Sequence, residues 1–416
     1  MGTRRNFARR LAKDRKGNAL LIVGAGLPML IGAAGIAVDS IQLALTKRQL
    51  QRSADSAAIA GAYGVLRRQS VQQAATRDLQ LNNEMVLAAS PVVENAPTTG
   101  SYRGNNRAVR VVLRADRVTP FMSFFGGGAT TVQVESTAAA VFSAEMCVIS
   151  LENTAVTGVT FAGSTTVNLG CGVASNSTAT AAISAGGASA VTASPIAAVG
   201  GVPASSSYRG TTELYSNSIP QEDPFAGLPD ATVPPNCQNQ LNVQPNQTRT
   251  VSPGCYRGMD IKGTAILQPG TYIIDGGTLS FGAQANITGV GVTFILTSSN
   301  AVSNPSSIAT LDMHGGAILD IKAPADGTYK GVLLYQDRRA TLTNIMINGN
   351  SASRFQGSFY LPSQQVTFNG NTGMQTRCVQ FVARRLVFTG NSNIQNVCPE
   401  NEGSKAFETL QVRLVN

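Results

Sequence analysis

The stretch Lys16-Gly17-Asn18-Ala19-Leu20-Leu21-Ile22-Val23-Gly24-Ala25-Gly26-Leu27-Pro28-Met29-Leu30-Ile31-Gly32-Ala33-Ala34-Gly35-Ile36-Ala37-Val38-Asp39 divides a basic tail from everything that follows. From Ala19 to Val38 no side chain is charged. About 20 apolar residues rising 1.5 Å each cross a hydrocarbon core of roughly 30 Å, so the stretch reads as a membrane span. Before it stand Arg4, Arg5, Arg9, Arg10, Lys13, Arg15 and Lys16 against Asp14 alone. Flanks with such an excess of cations stay in the cytoplasm, which puts the rest of the chain outside. A cleaved signal peptide with Gly35-Ile36-Ala37 as its small-residue site is the alternative, but the run is long for a signal core and helix formers continue through it. Thr3-Arg4-Arg5-Asn6-Phe7 resembles a twin-arginine export signal, yet Arg9 to Lys16 is too charged to begin its core.

The 416 residues are 43% hydrophobic and only 13% charged, with 42 glycines and no tryptophan, and Ser, Thr, Asn and Ala crowd the second half. That length and apolar content allow two or more domains with a sizeable core, in the style of a secreted protein. The tail supplies six of the nine net positive charges. The basic balance is therefore a topology signal, reinforced by anionic lipid of the inner leaflet, and does not point to nucleic acid.

Beyond Asp39 there is no helix stop. From Ser40 to about Asn82 proline is absent and Ala, Leu, Gln and Arg dominate, which predicts that the span continues as a long helix. Its seam is small: Leu43, Leu50, Ala54, Ala57, Ala58 and Gly61 recur at spacings of three or four, so another backbone can approach closely. Either a neighbouring subunit of an assembly or the chain's own domain fits such a seam. Within the span, Ala33 and Ala37 offer a small-xxx-small face and Pro28 a kink. Pro91, Pro97, Gly100 and Gly104 then break the helix. Ala108 to Arg114 and Thr130 to Ala138 read as strands, with a short helix from Pro120 to Phe125 between them.

At Cys147 the sequence changes character. An apolar-x-apolar unit followed by a polar or small residue and Gly recurs at Val159-Thr160-Phe161-Ala162-Gly163, Met259-Asp260-Ile261-Lys262-Gly263, Leu279-Ser280-Phe281-Gly282, Ile345-Met346-Ile347-Asn348-Gly349, Val366-Thr367-Phe368-Asn369-Gly370 and Leu386-Val387-Phe388-Thr389-Gly390. Gly349, Gly370 and Gly390 lie 21 and 20 residues apart, about one coil of a parallel β-helix that buries alternate side chains and turns on Gly and Asn. A β-sandwich with evenly spaced turns is the alternative. The whole chain then reads as α+β: a basic tail (1–17), a span (18–39), a pilin-like helix with a small sheet (40–145) and an all-β solenoid domain (146–416). A Pro-rich excursion interrupts the pattern near 197–247, where Phe225 and Leu228 are the residues expected to pin it to the solenoid.

All six cysteines, Cys147, Cys171, Cys237, Cys255, Cys378 and Cys398, follow the span. They lack the C-x-x-C spacing of metal sites, so three disulfides in an oxidising compartment are expected, each contributing on the order of 3 kcal/mol. Cys147 with Cys171 and Cys378 with Cys398 are about one coil apart, and Cys237 with Cys255 would clip the excursion.

No catalytic, cofactor-binding or metal-binding residues stand out. The single histidine, His314, has no nucleophile motif around it. Asp312, Asp320, Asp326 and Asp337 with Arg338 and Arg339 could line a groove, as in polysaccharide-cleaving β-helix enzymes, although solvated turns explain them more simply. Val38-Asp39-Ser40-Ile41-Gln42 lacks the clustered Asp and Ser of a divalent-ion adhesion site, and there is no P-loop.

Arg15-Lys16-Gly17-Asn18-Ala19, Leu27-Pro28, Gly35-Ile36-Ala37-Val38-Asp39 and Leu50-Gln51-Arg52-Ser53-Ala54-Asp55-Ser56-Ala57-Ala58-Ile59-Ala60-Gly61-Ala62 together resemble the N-terminal module of TadE/TadG-like Flp (tight adherence) pilus-assembly proteins. Processed pilin-like members carry Glu five residues into the apolar segment after the cleavage-site Gly. Counted from Gly17 that position is Ile22, so the chain is more similar to TadG-like members, which speaks against prepilin-peptidase cleavage. The resemblance implies a long helix followed by a small sheet, and an inner-membrane structural component with its C-terminal domain in the periplasm. It also implies other Tad/Flp pilus-assembly proteins as partners, and self-association stays open beside them. Two other classes stay open from the residues: an adhesin binding glycan or envelope polymer along the solenoid, and a polysaccharide-active enzyme.

Overall fold

The uncharged stretch runs without interruption into one helix of 49 residues, α1 (Asn18–Leu66), with Pro28 inside it. The computed structural model describes residues 18–124, 128–350, 352–370, 374–376, 379–390, 393–396 and 407–415. Contacts divide the chain into two units, Met1–Val141 with Gln411–Asn416, and Phe142–Leu410.

In the first unit α1 changes partner along its length. Ile22, Val23, Leu27, Met29, Leu30, Ile31, Ile36, Ile41 and Leu45 are exposed, and the helix is long and apolar enough to cross a membrane. From Leu50 onward the small face is buried. A second helix, α2 (Val71–Asn82), starts where a single continuous helix is expected from composition. The break has a local cause: Arg68 takes a left-handed φ of 55°, and the Ser70 hydroxyl accepts from the Gln73 amide at 3.3 Å, capping a new helix. Three antiparallel strands follow. β1 (Val92–Asn95) forms inside the segment expected to be loop, because Val92 and Val93 pair with Val112 and Val111 of β2 (Ala108–Val118). β2 pairs on its other side with β3 (Ala129–Ser150) from Ala108 opposite Ala139 to Val118 opposite Ala129. The connection between β2 and β3 carries a short helix, α3 (Pro120–Phe124). Arg110 ties the sheet crosswise through Glu94 and Glu135.

The second unit is rich in β-structure, and its strands pair in parallel. One ladder runs in space through Gly254–Tyr256, Gly270–Asp275, Val292–Thr297, Val332–Gln336, the first halves of Arg354–Gly370 and Val379–Gly390, the end of β3, Gly172–Ser175, Ile196–Ala198 and Leu214–Tyr215. A second runs through Leu241–Val243, Met259–Ile261, Thr278–Phe281, Thr310–Met313, Asn344–Gly349, the second halves of Arg354–Gly370 and Val379–Gly390, Val159–Phe161 and Ile183–Ala185. A third begins with Thr248–Val251, Thr264–Leu267, Asn286–Val290 and Ile318–Lys322. Shorter pairings join Met374–Thr376, Asn393–Asn396, Thr166–Asn168 and Ala190–Thr192.

All six apolar-x-apolar units found in the sequence lie on the second ladder, four of them in direct succession: Ile347, Phe368, Phe388 and Phe161 are register partners. Gly349, Gly370 and Gly390 are likewise paired with one another. The rings of Phe368, Phe388 and Phe161 stack with centroids 5.1 and 5.0 Å apart. Glycine recurs at the following turn for a steric reason. Gly163 and Gly390 have φ of 70° and 84°, and a Cβ on Gly163 would come within 3.2 Å of the Gly390 backbone.

One apolar cluster draws side chains from all three ladders, among them Val148, Phe161, Val167, Leu267, Ile287, Phe294 and Phe388. The first ladder is buried on its other face as well, which explains its continuously buried runs Val292-Thr293-Phe294-Ile295-Leu296 and Val332-Leu333-Leu334-Tyr335, whereas second-ladder strands such as Met259–Ile261 alternate. Ile295, Val332, Tyr335, Tyr360 and Val382 line that outer face, and Phe225, Leu228 and Ala231 of the Pro-rich segment cover it.

Spatial order is not chain order. The last long strand, Val379–Gly390, pairs with β3 and Val159–Phe161, where the parallel strands begin. From there the chain steps outward to Leu214–Tyr215 at one end, crosses to the opposite end near Leu241, and works back. Ten strands in the first ladder span nine spacings, or about 43 Å. The 25 residues from 216 to 240 reach roughly 80 Å when extended, ample for the crossing. The Pro-rich excursion is the strap that makes it.

Candidate functional site

Two arrangements of several side chains among the described residues bear on the sequence-predicted sites. The first is where α1 leaves its apolar run. Asp39 is fully buried, and its Oδ2 accepts from the backbone amides of Phe121 at 3.0 Å and Met122 at 2.7 Å, the first turn of α3. A carboxylate at a helix start satisfies amides that have no partner inside the helix and complements its dipole. Gly35, one turn earlier, is overlain by the Phe121 ring so closely that a Cβ there would overlap it. Asp39 Oδ1 and the Thr119 hydroxyl are buried with no partner among the described residues. One feature of the sequence hints at this role: Asp39 is the first acid after an uncharged run, where an unpaired carboxylate would be costly.

The helix-packing candidates fall into two groups. Ala54, Ala57 and Ala58 are fully buried and Gly61 is buried too. A Cβ on Gly61 would come 2.8 Å from Val109 of β2 and 3.4 Å from Val71 of α2, so this seam is occupied by the chain's own elements. It is therefore not a free face for another subunit. Ala33 and Ala37 are exposed along α1.

The second place is the strap. The Arg338 guanidinium donates to the carbonyls of Phe225 and Leu228 and to Asp230, and its Nε donates to the Tyr360 hydroxyl at 2.9 Å. Tyr360 donates to Asp223 at 2.7 Å, and Tyr335 donates to the Pro229 carbonyl. Burial, then the Asp223 carboxylate, push the Tyr360 hydroxyl up, and burial takes Tyr335 up to about 12. Both tyrosines therefore stay neutral donors. Asn176 holds Gln221 through two hydrogen bonds, so the strap is fixed at several points along its path. Phe225 and Leu228 pack where the sequence expects them. Cys237–Cys255 clips its far end with a Cα separation of 4.6 Å, and Cys147–Cys171 joins neighbouring strands at 5.8 Å. Cys378 and Cys398 lie outside the described residues.

The residues weighed for catalysis are dispersed. Asp312 and His314 face each other at 3.4 Å with both side chains more than half exposed. Asp320 lies on a groove of about 270 Å³ with Thr288, Lys322 and Arg354 on the third ladder. Asp337 is buried beside the first ladder, bonded to the Thr297 hydroxyl and the Arg339 guanidinium. Burial opposes its ionisation, but Arg339 and Thr297 outweigh that and hold its carboxyl below the usual range. Among the described residues no three His, Cys, Asp or Glu side chains are grouped to hold a metal.

No curated protein and no solved structure matches this chain. Residues 17–64 match the Tad family model, described as "Putative Flp pilus-assembly TadE/G-like". The matched segment covers the apolar run, the Asp39 position and the buried small-residue seam of α1. Residues 17–64 are thus similar to the TadE/G-like pilus-assembly family, and residues 18–64 of that match lie in the single helix α1.

Proposed function

We propose that the chain is a single-pass inner-membrane component of a Tad/Flp-type pilus assembly system, with its basic tail in the cytoplasm and its β-rich unit in the periplasm. The observation that carries this reading is the coincidence of the TadE/G-like match with a helix that is apolar and exposed first, then sealed onto its own sheet. Seven cations before the span favour the cytoplasmic tail. Two disulfides on the far side suit an oxidising compartment. The second unit is a parallel β-helix in this account, supported by three parallel ladders contributing to one apolar cluster. Its role is structural and non-catalytic: the buried polar groups with the most partners hold strap and strands together. Partners are other pilus-assembly proteins, and nucleic acid is not among them.

Topology fusions test the placement. An export-dependent reporter fused after Asn416 should be active, and the same reporter fused before Met1 inactive. The reverse pattern would overturn the orientation, and a mature protein beginning at Val38 would replace the anchor by a cleaved signal.

A further inference from the structure

The hairpin tip between β2 and β3 packs against the stretch of α1 whose apolar side chains are otherwise exposed among the described residues. Phe121 rests against Gly35, inside the uncharged run and one turn before Asp39. Around it Val118, Phe121 and Met122 are exposed by 63%, 41% and 42%, and α1 exposes Ile36, Val38, Ile41 and Leu45 beside and beyond the same level. After Asp39 the next charges on α1 are Lys47 and Arg48. With Asp39 buried and bonded to the tip, the helix presents no exposed charge from Ile22 to Thr46, which is about 37 Å of helix against a hydrocarbon core of roughly 30 Å. Set on the uncharged run Ala19–Val38, about 30 Å of helix, Gly35 lies about 5 Å inside the outer end, so its level falls at the outer boundary of the hydrocarbon core.

We propose that the β2–β3 tip is a second membrane-contacting element, which inserts Val118, Phe121 and Met122 into the outer boundary of the bilayer beside α1. The inference rests on α1 being a span. It explains three features together. Asp39 would be costly facing lipid, and the tip amides satisfy it out of lipid's reach. The tip's own first-turn amides, which lipid cannot satisfy, are bonded to Asp39. The apolar side chains of the tip are exposed at the level where such residues gain by entering the interface, and exposed Arg117 just before them can reach lipid phosphate.

Because the chain has no tryptophan, single-tryptophan variants report depth directly. Met122→Trp and Phe121→Trp probe the tip, the former at an exposed position that spares the contact with Gly35. Ile31→Trp probes the span, and Ser101→Trp probes the opposite end of β2. Each full-length variant is reconstituted in phosphatidylcholine vesicles carrying acyl-chain bromine either near the headgroup or near the chain end. Tip variants should show blue-shifted emission quenched most by bromine near the headgroup, Ile31→Trp should respond most to deep bromine, and Ser101→Trp to neither. Unquenched tip variants alongside a quenched Ile31→Trp would overturn the tip proposal and leave the span standing. Blue-shifted but unquenched tip emission would also overturn it, by placing protein there instead of lipid. An unquenched Ile31→Trp would remove the span on which the proposal rests.

Discussion

Replacing Glu152 by Gln perturbs the place within the second unit where Val379–Gly390 runs beside the end of β3. Glu152 is fully buried, with Oε1 accepting from the Thr154 hydroxyl at 2.7 Å and amide at 3.1 Å, and Oε2 accepting from Arg384 Nε at 3.0 Å and Arg385 Nε at 2.7 Å. Burial pushes this carboxyl up, but Thr154 and the two guanidiniums together outweigh it and bring it from 4.5 down to about 2. A depressed folded-state pKa gives stability that is complete above the unfolded value and is lost as pH falls through the folded value, here between about pH 4.5 and 2. The shift corresponds to about 3 kcal/mol at pH 7. That is at the lower end for breaking a buried pair, because both arginines are part-exposed and can turn to water. Urea denaturation of the full chain in detergent micelles, at pH 7 and pH 3, measures the gap between parent and Glu152→Gln. It should be about 3 kcal/mol at pH 7 and shrink to about 1 kcal/mol at pH 3, since the unfolded carboxyl is then protonated and only the interval between pH 3 and the folded value still favours the fold. A gap that is the same at both pH values, or under about 0.5 kcal/mol at pH 7, would refute the reasoning.

Three further outcomes are expected. Ala57→Leu and Gly61→Leu should destabilise the first unit by roughly 1 to 3 kcal/mol through overpacking against β2 and α2, seen as faster proteolysis of residues 70–118. Arg338→Met should leave the parallel strands folded but expose the strap, so that limited proteolysis cuts between 219 and 236 much earlier than in the parent. Non-reducing peptide mapping should find Cys147 linked to Cys171 and Cys237 to Cys255, and removing the second bond should cost on the order of 3 kcal/mol for its 18-residue loop.

Local chemistry was the legible part of this sequence. The apolar run, the strands around Val109 and Val134, and the repeating unit ending in Gly each announce themselves by composition and period, and every quoted instance of that unit found its place on one ladder. The break before α2 was also written there, as Ser70 three residues before Gln73, but the good helix formers around it masked the cap. What could not be read is the long-range order. A repeat states that strands stack but not which ones adjoin, so nothing in Leu386-Val387-Phe388 says that its neighbour is Val159-Thr160-Phe161 more than 200 residues earlier. The strap was visible as Pro-rich chain, and Phe225 and Leu228 as its anchors, whereas Arg338 looked like a solvated charge until its partners were in place. The small seam illustrates the opposite ambiguity: Ala54, Ala57 and Gly61 predict close approach without naming the partner; all three are buried, and at Gly61 the partner is β2 and α2 of the same chain.

The central claim, that a membrane-anchored chain serves pilus assembly, is tested most directly by counting surface pili by electron microscopy in cells deleted for this chain and complemented in two ways. The full chain should restore pili, and a version in which residues 1–38 are replaced by a cleavable secretion signal, exporting the rest unanchored, should not. Normal piliation of the deletion strain, or full rescue by the unanchored version, would contradict the account.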